Sequence, residues 1–248
     1  MAFRNFKVLP KCVSSSDTYP LTPEQVQFYR DSGYLVIKGL ISKPALNSYR
    51  QRFKDVCNGR VKKGVVTVVK DRALSKTKTN PEDYINKDQY YFPFGPAHKI
   101  VGTWTAIDPV DMNNGCLYVI PGSHKPNILY DHTDEINDSK LFFTTIVNAG
   151  EVAPEHKRVH LEMAPGDTVF FAPNLVHGSR PNKSKGYRKA MTCHYASSEC
   201  SYHEVAGTNQ ARIGELMEAE LRRRGSQLSY IDMWRVKTKQ VRGVRSNL

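Results

Sequence analysis

The chain reads as mainly β with flanking helices, an arrangement that an antiparallel double-sheet jelly roll satisfies. Three observations predict it. Helical patterning is confined to residues 22–56 and to a stretch near the C-terminus. Between them lie several short strand-like runs, among them YYFPF, IVGTWTAI, CLYVI and TVFF. Turn residues punctuate those runs at close intervals. A β-sandwich or a barrel would both fit the order of elements.

The elements follow in sequence. Residues 1–20 are an irregular lead-in. Thr22 can cap a first helix, with Pro23 at its first position and Gln25 closing a capping box, and Gly33 ends it. Tyr34 to Ile37 is a short strand. A second helix begins near Ser42, and Leu46, Tyr49, Phe53 and Val56 recur at helical spacing, which predicts one buried face. Val65 to Val69 is strand-like, and residues 71–90 read as a polar loop. From Tyr91 the chain turns β-rich, with Asn113-Asn114-Gly115 supplying turn chemistry before CLYVI. Residues 125–157 form a polar excursion. Val159–Met163 and Thr168–Phe171 flank the turn Ala164-Pro165-Gly166-Asp167, which predicts a hairpin. Thr208 or Asn209 caps a last helix running to about Arg224, with Ile213, Leu216, Met217 and Leu221 on its inner face and Gly225 as its stop.

Composition narrows the classes of function. Forty per cent hydrophobic residues in 248 supply a real core. No apolar run is long enough for a transmembrane helix, and the first residues lack the apolar centre of a secretory signal. Five dispersed cysteines, none in a C-x-x-C pair, read as reduced thiols. The net charge of +12 raises nucleic acid, anionic membrane or a phosphorylated ligand as partners. Eight Lys or Arg against one Asp fall between Arg222 and Leu248. With no zinc-finger spacing and no basic-zipper heptads, that tail reads as a solvated basic face rather than a nucleic-acid site. A highly charged ligand such as a coenzyme A thioester is a further option.

The stretch Gly166–His194 carries the most chemistry. His177 and Ser179 follow a strand in a loop, and Arg188 opens the next strand-like run, Arg188 to Tyr195. Imidazole ligates transition metals and guanidinium clamps a carboxylate through two parallel hydrogen bonds, so the pair suits a metal enzyme with a dicarboxylate cosubstrate. A mononuclear iron oxygenase needs two His and one carboxylate on one face of the metal. The literal His-x-Asp is His132-Thr133-Asp134, which lies in the polar excursion without a rigid neighbour. His98, His156 and His203 read as surface residues and His124 as a turn residue. His160 and His194 lie in strands, where either can face a cavity or settle into hydrogen bonds.

The motifs LTPEQVQFYRDSGYLVIKGL, DQYYFPF, WTAIDPVDMNNGCLYVIPGSHK, RVHLEMAPGDTVFFAPNLVHGS and GYRKAMTCHYAS resemble, in order, those of the phytanoyl-CoA dioxygenases. The resemblance implies a double-stranded β-helix, cupin-like, forming a single domain over residues 1–248: helices and first strands at 21–70, a jelly-roll core at 88–200, and a C-terminal helix and basic tail at 207–248. It implies an Fe(II)- and 2-oxoglutarate-dependent dioxygenase that 2-hydroxylates a branched, phytanoyl-type fatty acyl-CoA in peroxisomal α-oxidation, with ascorbate keeping the iron reduced. It assigns Asp88 and His177 to the metal, and Arg188, Ser179, Trp104, Lys76 and Asp108 to 2-oxoglutarate. It gives fatty acyl-CoA as partner and no nucleic acid. Ser246-Asn247-Leu248 loosely resembles a peroxisomal address.

The chain departs from the family pattern at one point. Where the family reads His-Gln-Asp-Gln, this chain reads Asn86-Lys87-Asp88-Gln89. The first iron His is absent, and a segment of several dozen residues before it is absent too. The expectation is therefore an incomplete jelly roll with weak or no hydroxylase activity. The alternative is a non-catalytic isoform with a binding or regulatory role. His132 and His160 are the first residues to weigh as replacements.

Overall fold

The computed structural model describes residues 21–62, 64, 68, 84–132 and 145–243. Helix α1 (Pro23–Ser32) starts at the capping box read from the sequence: Thr22 accepts from the Gln25 amide and Gln25 returns the bond to Thr22. Such a cap stabilises a helix by about 1 kcal/mol. Gly33, in the left-handed region at φ 79°, ends it. Strand β1 (Tyr34–Ile37) is buried along its whole length. Helix α2 (Lys43–Cys57) is capped by Ser42, but its apolar face is only partly covered: Leu46 is buried and Phe53 is exposed.

The β-rich region holds β2 (Tyr84–Asn86), β3 (Phe94–Gly95), β4 (Ile100–Ala106), β5 (Leu117–Val119), the short helix α3 (Ala149–Val152), β6 (Val159–Leu161), β7 (Thr168–Phe171), β8 (His177–Ser179), β9 (Ala190–Ala196) and β10 (Ser201–Tyr202). Two helices close the chain, α4 (Ala211–Arg223) and α5 (Tyr230–Lys237). The strands form two antiparallel four-stranded sheets, ordered β1-β7-β4-β9 and β2-β8-β5-β6, plus the pair β10-β3. Tyr34, Trp104, Val169 and Phe171 of the first sheet pack with Val119 and Leu161 of the second. The core therefore lies between the sheets, as in a jelly roll.

Four expectations change. The stretch read as a polar loop, residues 71–90, contains strand β2. The YYFPF run is not one strand: Asp88–Tyr91 forms a 3-10 turn, and strand geometry resumes at Phe94. The predicted hairpin is not formed, because β6 pairs with β5 while β7 pairs with β1 and β4. The Ala164–Asp167 turn instead carries the chain from one sheet to the other. Asp167 anchors it by accepting from Ala164 N (2.9 Å), Gly39 N (2.7 Å) and Lys38 Nζ (2.8 Å). His177 and Ser179 lie on a strand, β8, and not in a loop. Strand-like Val65 to Val69 falls almost wholly outside the described residues. So do Lys76, Asp134 and Ser246-Asn247-Leu248.

His132, expected in the polar excursion without a rigid neighbour, is held firmly and buried. It bridges to Ile146, stacks on Tyr90 with ring centroids 3.6 Å apart, and its Nδ1 bonds Tyr130 O at 3.0 Å. Burial lowers its pKa to about 4, against a smaller upward pull from that carbonyl. The unfolded chain therefore binds the proton first, near the usual histidine pKa of about 6.5. The stability that neutral His132 contributes is complete above that value and is lost as pH falls toward 4. We expect urea midpoints measured from pH 7 to pH 4 to fall across this window, and the fall to be reduced in His132→Phe, which keeps the ring stack and cannot be protonated.

Candidate metal and cosubstrate site

The site begins with a register. Antiparallel β2 and β8 place Asn86 opposite His177, and β8 continues into β5 with His177 opposite Val119 and Ser179 opposite Leu117. Alternation along β8 sends His177 and Ser179 to the same face. The loop between β7 and β8 is tied to the 3-10 turn by Gln89 N donating to Pro173 O at 3.0 Å. That bond brings the turn carrying Asp88 against the strand carrying His177.

Asp88 and His177 come together. His177 Nε2 lies 3.5 Å from Asp88 Oδ1, and both side chains are largely buried. His177 Nδ1 is 3.0 Å from its own Leu175 carbonyl, which directs a lone pair to Nε2 when Nδ1 carries the proton. The Phe171 ring lies against His177, with centroids 5.1 Å apart. Gly102 makes this possible, because a Cβ there would sit 2.7 Å from the Phe171 ring.

The second oxygen of Asp88 is held by a residue outside the expected ligand set. His194 Nε2 lies 2.7 Å from Asp88 Oδ2. Burial alone raises the Asp88 pKa, but the imidazoles of His194 and His177 outweigh it and hold the carboxyl below its usual range. For His194, burial lowers the pKa and the Asp88 carboxylate more than restores it, so the net shift is upward. The sequence carried one signal for this role: His194 lies an even number of strand residues from Ala190, on the face that also carries Thr192 opposite Trp104. The Asp88 turn itself is fastened by Gln210 at the start of α4, whose Nε2 donates to Gln89 O, Tyr90 O and Phe92 O at 2.9–3.1 Å.

The residues that the resemblance assigns to the cosubstrate are partly brought together. The Arg188 guanidinium lies over the Trp104 ring at 5.5 Å from its centroid and donates to Gly115 O. Gly115 stands at φ 86°, and a Cβ there would come within 2.5 Å of Arg180 O, so the NNG turn can close only on glycine. Gly115, Leu117 and Val119 thus lead from Arg188 to Ser179 to His177 along β5 and its approach. Asp108 is engaged elsewhere: Lys189 Nζ is 2.8 Å and Arg50 Nε 3.4 Å from its carboxylate, tying α2 to the end of β4.

The two histidines weighed as replacements are placed elsewhere. His132 stacks on Tyr90, and His160 approaches Cys116 Sγ at 3.9 Å and packs edge-on to Tyr118. Among the described residues no three His, Cys, Asp or Glu side chains converge on a point fit for a metal ion. Asp88 and His177 nonetheless have the donor chemistry and the spacing of two neighbouring ligands. If His194 positions that carboxylate, His194→Ala should lower divalent-metal affinity by about tenfold or more, while His194→Gln, which keeps a donor, should retain most of it. Calorimetric titration with Mn(II) checks this, with melting temperatures as the control for folding.

The phytanoyl-CoA dioxygenase family model matches residues 66–190. The peroxisomal phytanoyl-CoA dioxygenase of Rattus norvegicus is 34% identical over 294 aligned positions, covering 94% of this chain and 86% of that protein. A probable phytanoyl-CoA dioxygenase of Caenorhabditis elegans is 33% identical, covering 92% of this chain and 95% of its own. The first alignment is longer than this 248-residue chain, so the relative contains sequence without a counterpart here. Among solved structures, the epimerase SnoN in complex with Fe3+ and alpha ketoglutarate superposes with a TM-score of 0.55 at 20% identity, over 74% of this chain and 86% of that one. EctD from S. alaskensis in its apoform gives 0.55 at 16%, over 79% and 85%. These two likenesses show the jelly-roll fold. With relatives above 30% identity along nearly its whole length, this chain belongs to the phytanoyl-CoA dioxygenase family, whose members are iron- and 2-oxoglutarate-dependent dioxygenases.

Proposed function

We propose that this chain is a phytanoyl-CoA 2-hydroxylase type of protein in which the cosubstrate end is retained and the metal end is depleted, so that its hydroxylase activity is weak or absent. The observation that carries the reading is the contrast between the two ends of the site. At one, Arg188 lies over Trp104 and donates to Gly115 O at the approach to β5, the strand that pairs with Ser179 on β8. At the other, Asp88 and His177 meet with asparagine, not histidine, two residues before the carboxylate.

Asp88 and His177 would hold the iron. Iron with 2-oxoglutarate supplies the oxidation, in which one oxygen atom of O2 enters a C–H bond and the other enters succinate as carbon dioxide leaves. Arg188 would clamp the far carboxylate of the cosubstrate, with Trp104 as a flat wall and Ser179 as a hydrogen-bond donor. Lys76 would join them from outside the described residues. Ascorbate would keep the metal reduced. The substrate class is a branched fatty acyl-CoA hydroxylated beside the thioester carbonyl. The naming of mammalian relatives as peroxisomal supports the same compartment for this chain. No helix among the described residues is long and apolar enough to cross a membrane.

Two features support loss of activity. The site has two strong ligands in place of three. It is also open: on the inward face of β9 Thr192 is exposed and the His194 side chain is only partly covered, and β9 has a strand partner on one side only among the described residues. A site that admits water weakens every electrostatic contact within it. The test is succinate release from 2-oxoglutarate by the purified chain with iron(II), ascorbate and a branched acyl-CoA. We expect a folded sample to give little or none, yet to bind 2-oxoglutarate in an Arg188-dependent way that Arg188→Leu reduces at least tenfold. Substrate-dependent succinate abolished by Asp88→Ala would refute the depletion reading, and Arg188-independent binding would refute the cosubstrate assignment.

A further inference from the structure

We infer that Asn86 is the third metal ligand of this chain, giving a site of Asn86 Oδ1, Asp88 and His177. The inference rests on the reading above that Asp88 and His177 hold the metal. Three observations point to it. Asn86 Oδ1 is fully shielded from solvent and has no hydrogen-bond partner. A buried acceptor in that state is unfavourable, and a cation is one of the few partners that can satisfy it without a donor proton. The β2–β8 register sets Asn86 directly opposite His177, and directly opposed residues of an antiparallel pair project from the same face with Cβ atoms about 5 Å apart. Asn86 also ends β2 two residues before Asp88, and Lys87 between them is extended (φ −125°, ψ 127°), which turns both side chains to one side.

The residue between them supports this division of faces. Lys87 is fully buried, yet its Nζ donates to Ile128 O (2.7 Å) and Ser123 O (3.3 Å) and lies over the Tyr130 ring. Its charge is directed to those carbonyls, leaving Asn86 and Asp88 to share the other face. His194 holds Asp88 Oδ2 and leaves Oδ1 toward His177. The three donors are then one amide oxygen, one carboxylate oxygen and one imidazole nitrogen. Exchanging an imidazole for an amide oxygen makes the set harder. It lowers affinity for iron(II) or cobalt(II) more than for manganese(II).

The experiment is a titration of the metal-free full chain with Mn(II), followed by the loss of the free-ion resonance signal, and with Co(II), followed by its visible absorption. Asn86→Leu is expected to bind Mn(II) at least tenfold more weakly than the parent while its metal-free melting temperature stays equal or rises, since the orphaned oxygen is gone. Asn86→His should bind Co(II) at least tenfold more tightly and raise the Co(II)-to-Mn(II) preference. Asn86→Asp should strengthen Mn(II) binding, a readout that survives if the leucine variant does not fold. Equal Mn(II) affinity in the parent, the leucine variant and the aspartate variant, with loss in Asp88→Ala, overturns the role of Asn86 alone. Absence of Mn(II) binding by the parent overturns both this inference and the assignment of Asp88 and His177.

Discussion

The Asp88 carboxylate is the point at which the two sheets and the C-terminal helices meet. One oxygen faces His177 from the β2-β8-β5-β6 sheet, and the other bonds His194 from the β1-β7-β4-β9 sheet. A carboxylate buried this far is tolerable only because two imidazoles face it. The pairing also makes Asp88 a rigid element, since a carboxylate held at both oxygens has few rotamers left. Most of what surrounds it serves that placement.

The 3-10 turn carrying Asp88 is fixed from three directions. Gln89 bonds the β7–β8 loop, and Gln210 gathers three backbone carbonyls that the turn leaves outside any sheet. The aromatic group of Phe92, Phe94, Tyr202 and Trp234 packs beneath, with ring pairs at 5.1–5.7 Å that each stabilise by about 0.5–1.5 kcal/mol beyond burial. Tyr230 of α5 adds a bond to Tyr91 O. The two C-terminal helices are thus a brace for the turn that carries Asp88. Lys87, beside Asp88, shows the same economy of faces, since burial pulls its pKa down to about 8 while two carbonyls take its donors.

Much of this was legible in the residues. Capping chemistry is local, so Thr22, Gln25, Gly33 and Ser42 announced α1 and α2 without any tertiary information. Strand formers in short runs announced β1, β4, β5 and β7. The motif resemblance carried Asp88, His177, Trp104 and Arg188, and the structure places these as two contacting pairs. Strand partners were not legible, because a tight turn between two strands looks the same whether they pair or pass to opposite sheets; β6 and β7 are the case in point. Helix α5 was missed because an eight-residue helix whose stability comes from packing has little periodicity of its own. Asp108 was expected at the cosubstrate and is held by Arg50 and Lys189, a choice set by long-range contact.

The sequence by itself determined the fold class, the family, and the absence of histidine at position 86, since each depends on residue identity and order along the chain. Only the tertiary structure decided what stands around that substitution. His194 and Asn86 are 108 residues apart, and each is unremarkable in its own segment. Strand register alone sets Asn86 opposite His177, and sheet closure alone brings His194 onto Asp88. Both are non-local pairings, fixed by the burial of two opposing sheet faces, and no local propensity encodes them.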